Sequence, residues 1–93
     1  MKIDFDPAKR NKTMQERGLD FATAGEVFAG LHITRADDRR DYGEVRYVTA
    51  GWLRGRMVVM VWTPRGENRH IISMRYCHAK EEKLWREAME GSR

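Results

Sequence analysis

Residues 69 to 75, RHIISMR, carry the residue types in this chain best suited to chemistry. Their period-two alternation is that of a half-buried β-strand. It predicts Arg69, Ile71, Ser73 and Arg75 on one face, and His70, Ile72, Met74 and Tyr76 on the other. A guanidinium is always charged and is costly to bury unpaired, so it sits in solvent or meets an anion. Two arginines flanking a serine suit the oxygens of a phosphate, or else a carboxylate of the same protein. Glu44 and Arg46 also share one face of an expected strand. If the two faces coincide, Arg69, Arg75, Arg46 and Glu44 converge on a shallow groove. The expectation fails if Glu44 and Arg75 lie on opposite sides of the sheet.

The elements that must position these residues are legible from local signals. Lys2 to Phe5 is an expected short strand. Asp6-Pro7 marks a helix start, as cap and first-turn proline, and Gly18 marks its end after Arg17. Asp20 caps a second helix expected over Phe21 to Phe28, with Phe21, Ala24, Val27 and Phe28 on one face. From Leu31 the period changes. Leu31 to Arg35, Glu44 to Trp52, Met57 to Trp62 and 69 to 76 are expected strands. The loop from Ala36 to Asp41 and the turns at 53–55 and 63–68 separate them. The unbroken apolar run MVVMVW is that of a central strand covered on both faces. A closing helix is expected from His78 to about Glu90. The predicted fold is α+β: an N-terminal helix pair packed on an antiparallel sheet of three or four strands, with a C-terminal helix.

Ninety-three residues fit one domain, 1–93, and the 34% of charged residues with 41% hydrophobic ones is a globular composition. No apolar run approaches the roughly 20 residues of a membrane span, and the N-terminus lacks the apolar stretch of a signal peptide. The lone Cys77 excludes an internal disulfide. A cytoplasmic, reduced protein without membrane partners is expected. The three histidines lack the carboxylate or cysteine neighbours of a metal site, so neither metal nor other cofactor is expected. Net charge is +4, and between residues 45 and 75 six arginines face one glutamate, a local +5 that leaves −1 elsewhere. An arginine-only basic segment suits a polyanionic partner, and equally a solvated basic surface.

Taken in order, DPAKR, GLDFATAGEVF, DDRRDYGEVRYVTAG, GRMVVMVWTPRG and RHIISMR resemble the BrnT toxins of BrnT–BrnA toxin–antitoxin pairs, over about Met1 to Trp85. The resemblance implies a RelE-like fold and a small ribonuclease that cleaves RNA. It also implies neutralisation by a BrnA antitoxin, with operator DNA bound only through the toxin–antitoxin complex. The chain departs from the family pattern at Glu16-Arg17-Gly18, at Trp62 where a histidine often stands, at Tyr76-Cys77-His78, and at Trp85. Glu81 is retained.

Metal-free RNA cleavage requires deprotonation of a 2′-hydroxyl, neutralisation of the phosphorane and protonation of the 5′-oxygen. Arg75 and Arg69 are the expected phosphate clamp, each with a structural ion pair to Glu44 or Glu81 as the alternative. Glu44 is a candidate base and Arg46 a third cation, although a carboxylate beside arginine becomes a weak base. Ser73, Arg65, Arg39 and His78 are candidate RNA contacts. Ser73 is equally suited to the strand, and His78 to a helix start. By parity His70 is expected off the site. The other reading is a non-catalytic module that binds an antitoxin or nucleic acid. A DNA-binding repressor is the weakest, since no recognition helix is visible.

Overall fold

Residues 2–91 are described in a computed structural model of the chain. Strand β1 spans Lys2–Phe5 and helix α1 Pro7–Arg17. The Asp6 carboxylate accepts the Ala8 N–H at 2.9 Å, and Gly18 ends α1 at a φ of 68°. Helix α1 buries no side chain and is held by polar contacts instead. Arg10 clasps Asp20 through two bonds of 2.9 and 2.8 Å, and Arg17 donates to the Met74 carbonyl. The expected second helix is split. Asp20 caps a 3-10 turn, Phe21–Thr23, and α2 follows over Ala24–Ala29.

Four further strands are β2 (His32–Ala36), β3 (Tyr47–Leu53), β4 (Arg56–Arg65) and β5 (Asn68–Tyr76), followed by α3 (Ala79–Gly91). The sheet order is β1-β5-β4-β3-β2. Neighbours from β2 to β5 are antiparallel, whereas β1 runs parallel to β5. This corrects the expected antiparallel sheet of three or four strands to a mixed sheet of five. Helices α1 and α2 carry the chain from β1 at one edge of the sheet to β2 at the other.

The register of β4 and β5 contains the decisive irregularity. Val61 pairs with Ser73 but Trp62 pairs with Ile71, leaving Ile72 as an extra residue. Such a bulge reverses the facing of every residue beyond it. One sheet face therefore carries Trp62, Ile71, Met74 and Arg69, and the other carries His70, Ser73 and Arg75.

Two cores follow. On the first face Leu19, Phe21, Ala24 and Val27 pack on Val58, Met60, Trp62, Ile71 and Met74. On the second, Met89 of α3 packs on Ala50, Met57 and Val59, with Trp52 and Trp85 at the margin. The buried Trp62 indole donates to Thr49 Oγ1 at 2.8 Å, and that oxygen is 2.7 Å from Thr34 Oγ1, so the polar atoms of this core are paired.

Gly51 of β3 lies where α2 comes closest to the sheet. A Cβ there would stand 2.7 Å from Val27 Cγ1 and 2.9 Å from His32 Cβ. The His32 Cβ is fixed by its backbone and the Val27 methyl by a β-branched side chain in a helix, so neither can swing away. Gly51→Ala is therefore expected to lose about 1–3 kcal/mol by overpacking. That corresponds to a drop of roughly 4–8 °C per kcal/mol in a domain of this size. Thermal unfolding checks it, and an unchanged Tm would contradict the close approach.

Candidate functional site

On the second sheet face α3 covers only the end formed by Ala50, Met57 and Val59. Beside it opens a cleft of about 420 Å³, floored by Val48, Val59 and Val61 and walled by the loop after β2 and by α3. Into it face Arg35 from β2, Asp37, Asp38 and Arg39 from the loop, Ser73 and Arg75 from β5, and Glu81 and Trp85 from α3. Arg75 and Ser73 sit opposite Val59 and Val61, which are two residues apart on β4. They are thus adjacent positions in a row, about 7 Å apart by strand rise.

The cleft is a set of paired charges. Arg75 binds Glu81 through both terminal nitrogens, each at 2.6 Å. The Arg75 hydrogen bonds hold the Glu81 carboxyl below the usual carboxylate range, and Arg75 is raised in turn. Arg39 embraces the buried Asp37 at 2.7 and 2.9 Å, and the Asp37 carboxyl is lowered chiefly by that contact. Arg35 lies 5.3 Å over the Trp85 ring. A guanidinium has five N–H donors, so Arg75, with two of them on Glu81 and one reaching the Tyr76 carbonyl at 3.5 Å, keeps others for a ligand. Cys77 is inert: burial, then Glu81, pushes its thiol up to about 12.

The candidates read from the sequence are only partly brought together. Ser73, Arg75 and Arg39 line the cleft. Arg69 does not, which corrects the expectation that it shares a face with Arg75. The Ile72 bulge turns it to the α2 side, where its guanidinium lies 3.8 Å over Phe28 and 5.3 Å from Trp62. Its Nε there has no hydrogen-bond partner and meets ring faces instead. Glu44 and Arg46 are not on a strand, because β3 begins only at Tyr47. They bond to one another at 3.0 Å, Arg46 stacks on Tyr42 at 4.1 Å, and neither lines the cleft. Arg65 ends β4 and is exposed, and His78 lies exposed just before α3.

The Arg75–Glu81 pair is the structural alternative that the sequence offered for Arg75. One group escaped the sequence reading. His70, expected off the site, stands on the same face as Ser73 and Arg75, with Nδ1 2.5 Å from Asp4 Oδ1. Asn68 donates to the other Asp4 oxygen at 3.0 Å. No local signal joins Asp4 to His70, since only the parallel β1–β5 pairing brings them together. Among the described residues, no three His, Cys, Asp or Glu side chains converge as a metal site would require. No helix in that range is long and apolar enough to cross a membrane.

A family model described as the ribonuclease toxin, BrnT, of type II toxin–antitoxin systems matches residues 5–81. No curated protein matches the chain.

The Arg75–Glu81 pair makes a thermodynamic prediction. A carboxyl whose folded pKa is lowered contributes stability above its ordinary value, and that contribution is lost as pH falls through the lowered value. Glu81 is such a group, lowered from 4.5. Glu81→Gln is therefore expected to be less stable than the parent by about 1 kcal/mol or less near neutrality. The two stabilities should converge between about pH 6 and about pH 3. Urea midpoints across that range check it, and a gap independent of pH would contradict the pair.

Proposed function

We propose a function from one premise: the chain belongs to the BrnT family of ribonuclease toxins of type II toxin–antitoxin systems. A family of that type implies an antitoxin protein as partner. The protein on this reading is a metal-independent endoribonuclease of the cytoplasm, related in fold to RelE toxins. It cleaves RNA to arrest translation and growth, is neutralised by a BrnA-type antitoxin, and reaches operator DNA only within that complex.

The observation that supports it is the arginine-lined cleft around Ser73. A phosphate placed at Ser73 meets the spare donors of Arg75, while Arg35 and Arg39 stand on the opposite wall. Donors fixed in place before the reaction act on the extra negative charge of the phosphorane without reorganising, which is where such groups lower a barrier most. Exposed Arg65 would meet phosphates further along the strand. An acidic antitoxin segment would compete for the same guanidiniums and so block the cleft.

The second reading, a module that binds antitoxin or nucleic acid without cleaving, is favoured by a specific observation. Arg75 and Arg39 already hold internal carboxylates, so a phosphate must compete with Glu81 and Asp37 for them.

Incubation of antitoxin-free protein with labelled RNA in excess EDTA decides between the two. Cleavage leaving a 2′,3′-cyclic phosphate is expected, reduced about 10²–10³-fold in Arg75→Ala. Arg69→Met is expected to keep the cleavage rate and lose stability, because its guanidinium packs on Phe28. Folded protein that binds RNA or antitoxin without cutting would establish the second reading.

A further inference from the structure

His70, Ser73 and Arg75 form one row on the open sheet face. Their partners on β4 are Thr63, Val61 and Val59, spaced two residues apart, so His70 lies about 7 Å beyond Ser73 on the side away from Arg75. A phosphate at Ser73 would thus have a guanidinium on one side and an imidazole on the other.

The imidazole is also oriented. Asp4 is held below the usual carboxylate range, first by the Asn68 bond and also by His70. An ionised carboxylate only accepts hydrogen bonds, so Nδ1 of His70 must be the protonated nitrogen. In the neutral ring Nε2 is then a free acceptor, and it has no hydrogen-bond partner among the described residues. The side chain is 16% exposed, enough to be touched from solvent while its ring is held in place. Around it stand Asp4 from β1, Asn68 on β5, and Arg65 of β4, which acts on Asp4 through its charge. The Glu44–Arg46 pair brackets Val45, whose carbonyl accepts the hydroxyl of Thr63, the strand partner of His70.

We propose that His70 is the general base of the cleavage reaction, with Asp4 as its positioning residue. This rests on the RNA-cleaving reading of the same face. His70 Nε2 takes the 2′-hydroxyl proton as the 2′-oxygen–phosphorus bond forms and the bond from phosphorus to the 5′-oxygen breaks. The departing 5′-oxygen takes a proton from water, and the imidazolium returns its own proton to solvent. No net proton or electron is consumed, and the products are a 2′,3′-cyclic phosphate and a 5′-hydroxyl. An ion-paired Glu81 is a poorer base than a neutral imidazole, because its bonds from Arg75 stabilise the unprotonated form.

The test is a kinetic series in EDTA on a labelled RNA, with parent, His70→Gln, His70→Ala, Asp4→Asn and Arg75→Ala, each checked by thermal unfolding. His70→Gln keeps a side-chain N–H for Asp4, and it is expected to lower kcat about 10²–10⁴-fold with KM little changed. A histidine base works only when neutral, so the parent rate climbs with pH on the acid side of its profile, and His70→Gln loses that limb. Asp4→Asn is expected to lower kcat less and to shift the limb. Added imidazole is expected to restore part of the rate of His70→Ala, which a purely structural role would not allow. Parent cleavage that His70→Gln retains, with its acid limb intact, would overturn this assignment and leave the ribonuclease reading standing. A parent that binds RNA without cleaving it would overturn both.

Discussion

The β-bulge at Ile72 is the constraint on which both faces of the sheet depend, because one unpaired residue reverses the alternation of everything beyond it. Without it, Arg69 would stand in the open row and His70 would point into the α2 core. With it, Ile71 enters that core at full burial and Arg69 closes its rim over Phe28 and Trp62. The polar side chains left to the opposite face are His70, Ser73 and Arg75. Edge-proximal bulges are a common means of aiming side chains at sites, and here the bulge begins where β5 loses β1 as its outer neighbour, after Ile71.

The open face has a second organising feature in the way its charges are kept. Nearly every arginine near it has an internal partner: Glu81 for Arg75, Asp37 for Arg39, Glu44 for Arg46. The part-exposed pairs at Arg75 and Arg46 add little to stability. Their physical effect is orientation, since a bidentate contact fixes the plane and reach of a long flexible side chain before any ligand arrives. The same pairing makes the face conditional. An anion must draw a guanidinium from its carboxylate or share it, and a doubly charged phosphorane competes better than a singly charged phosphodiester. On the RNA-cleaving reading proposed above, an arrangement with that bias would favour the transition state over the ground state.

Legibility in the sequence followed the range of the interaction concerned. The limits of α1 were legible because Asp6, Pro7 and Gly18 act within one turn of themselves. The central strand was legible from its apolar run, and so was the closing helix, displaced by a single residue at its start. The start of β3 was not. Glu44 and Arg46 alternate as a strand would, but the ladder to β2 carries only one further bond past Tyr47, from the Asp37 N–H to the Arg46 carbonyl, and the two side chains bond to each other. The parallel β1–β5 pairing and the Asp4–His70 contact were invisible because they join residues more than 60 positions apart. The bulge escaped for a different reason. Period two is expected straight through RHIISMR, but the adjacent Ile71-Ile72 is where the polar–apolar alternation slips, and the core takes both Ile71 and Met74.

The departure at Trp62 gains a physical meaning from the same geometry. Position 62 faces the α2 core, where the indole packs at 5.6 Å from Phe28 and 4.9 Å from Tyr47 and donates to Thr49. A histidine there would lie beneath helices, on the side of the sheet away from Ser73 and Arg75. Replacing it with tryptophan enlarges the core and supplies a ring for Arg69, and it removes nothing from the open face. An imidazole is present on that face all the same, at His70, with a carboxylate behind it. Parity along the sequence therefore misleads about His70, because the bulge decides which side of the sheet it faces.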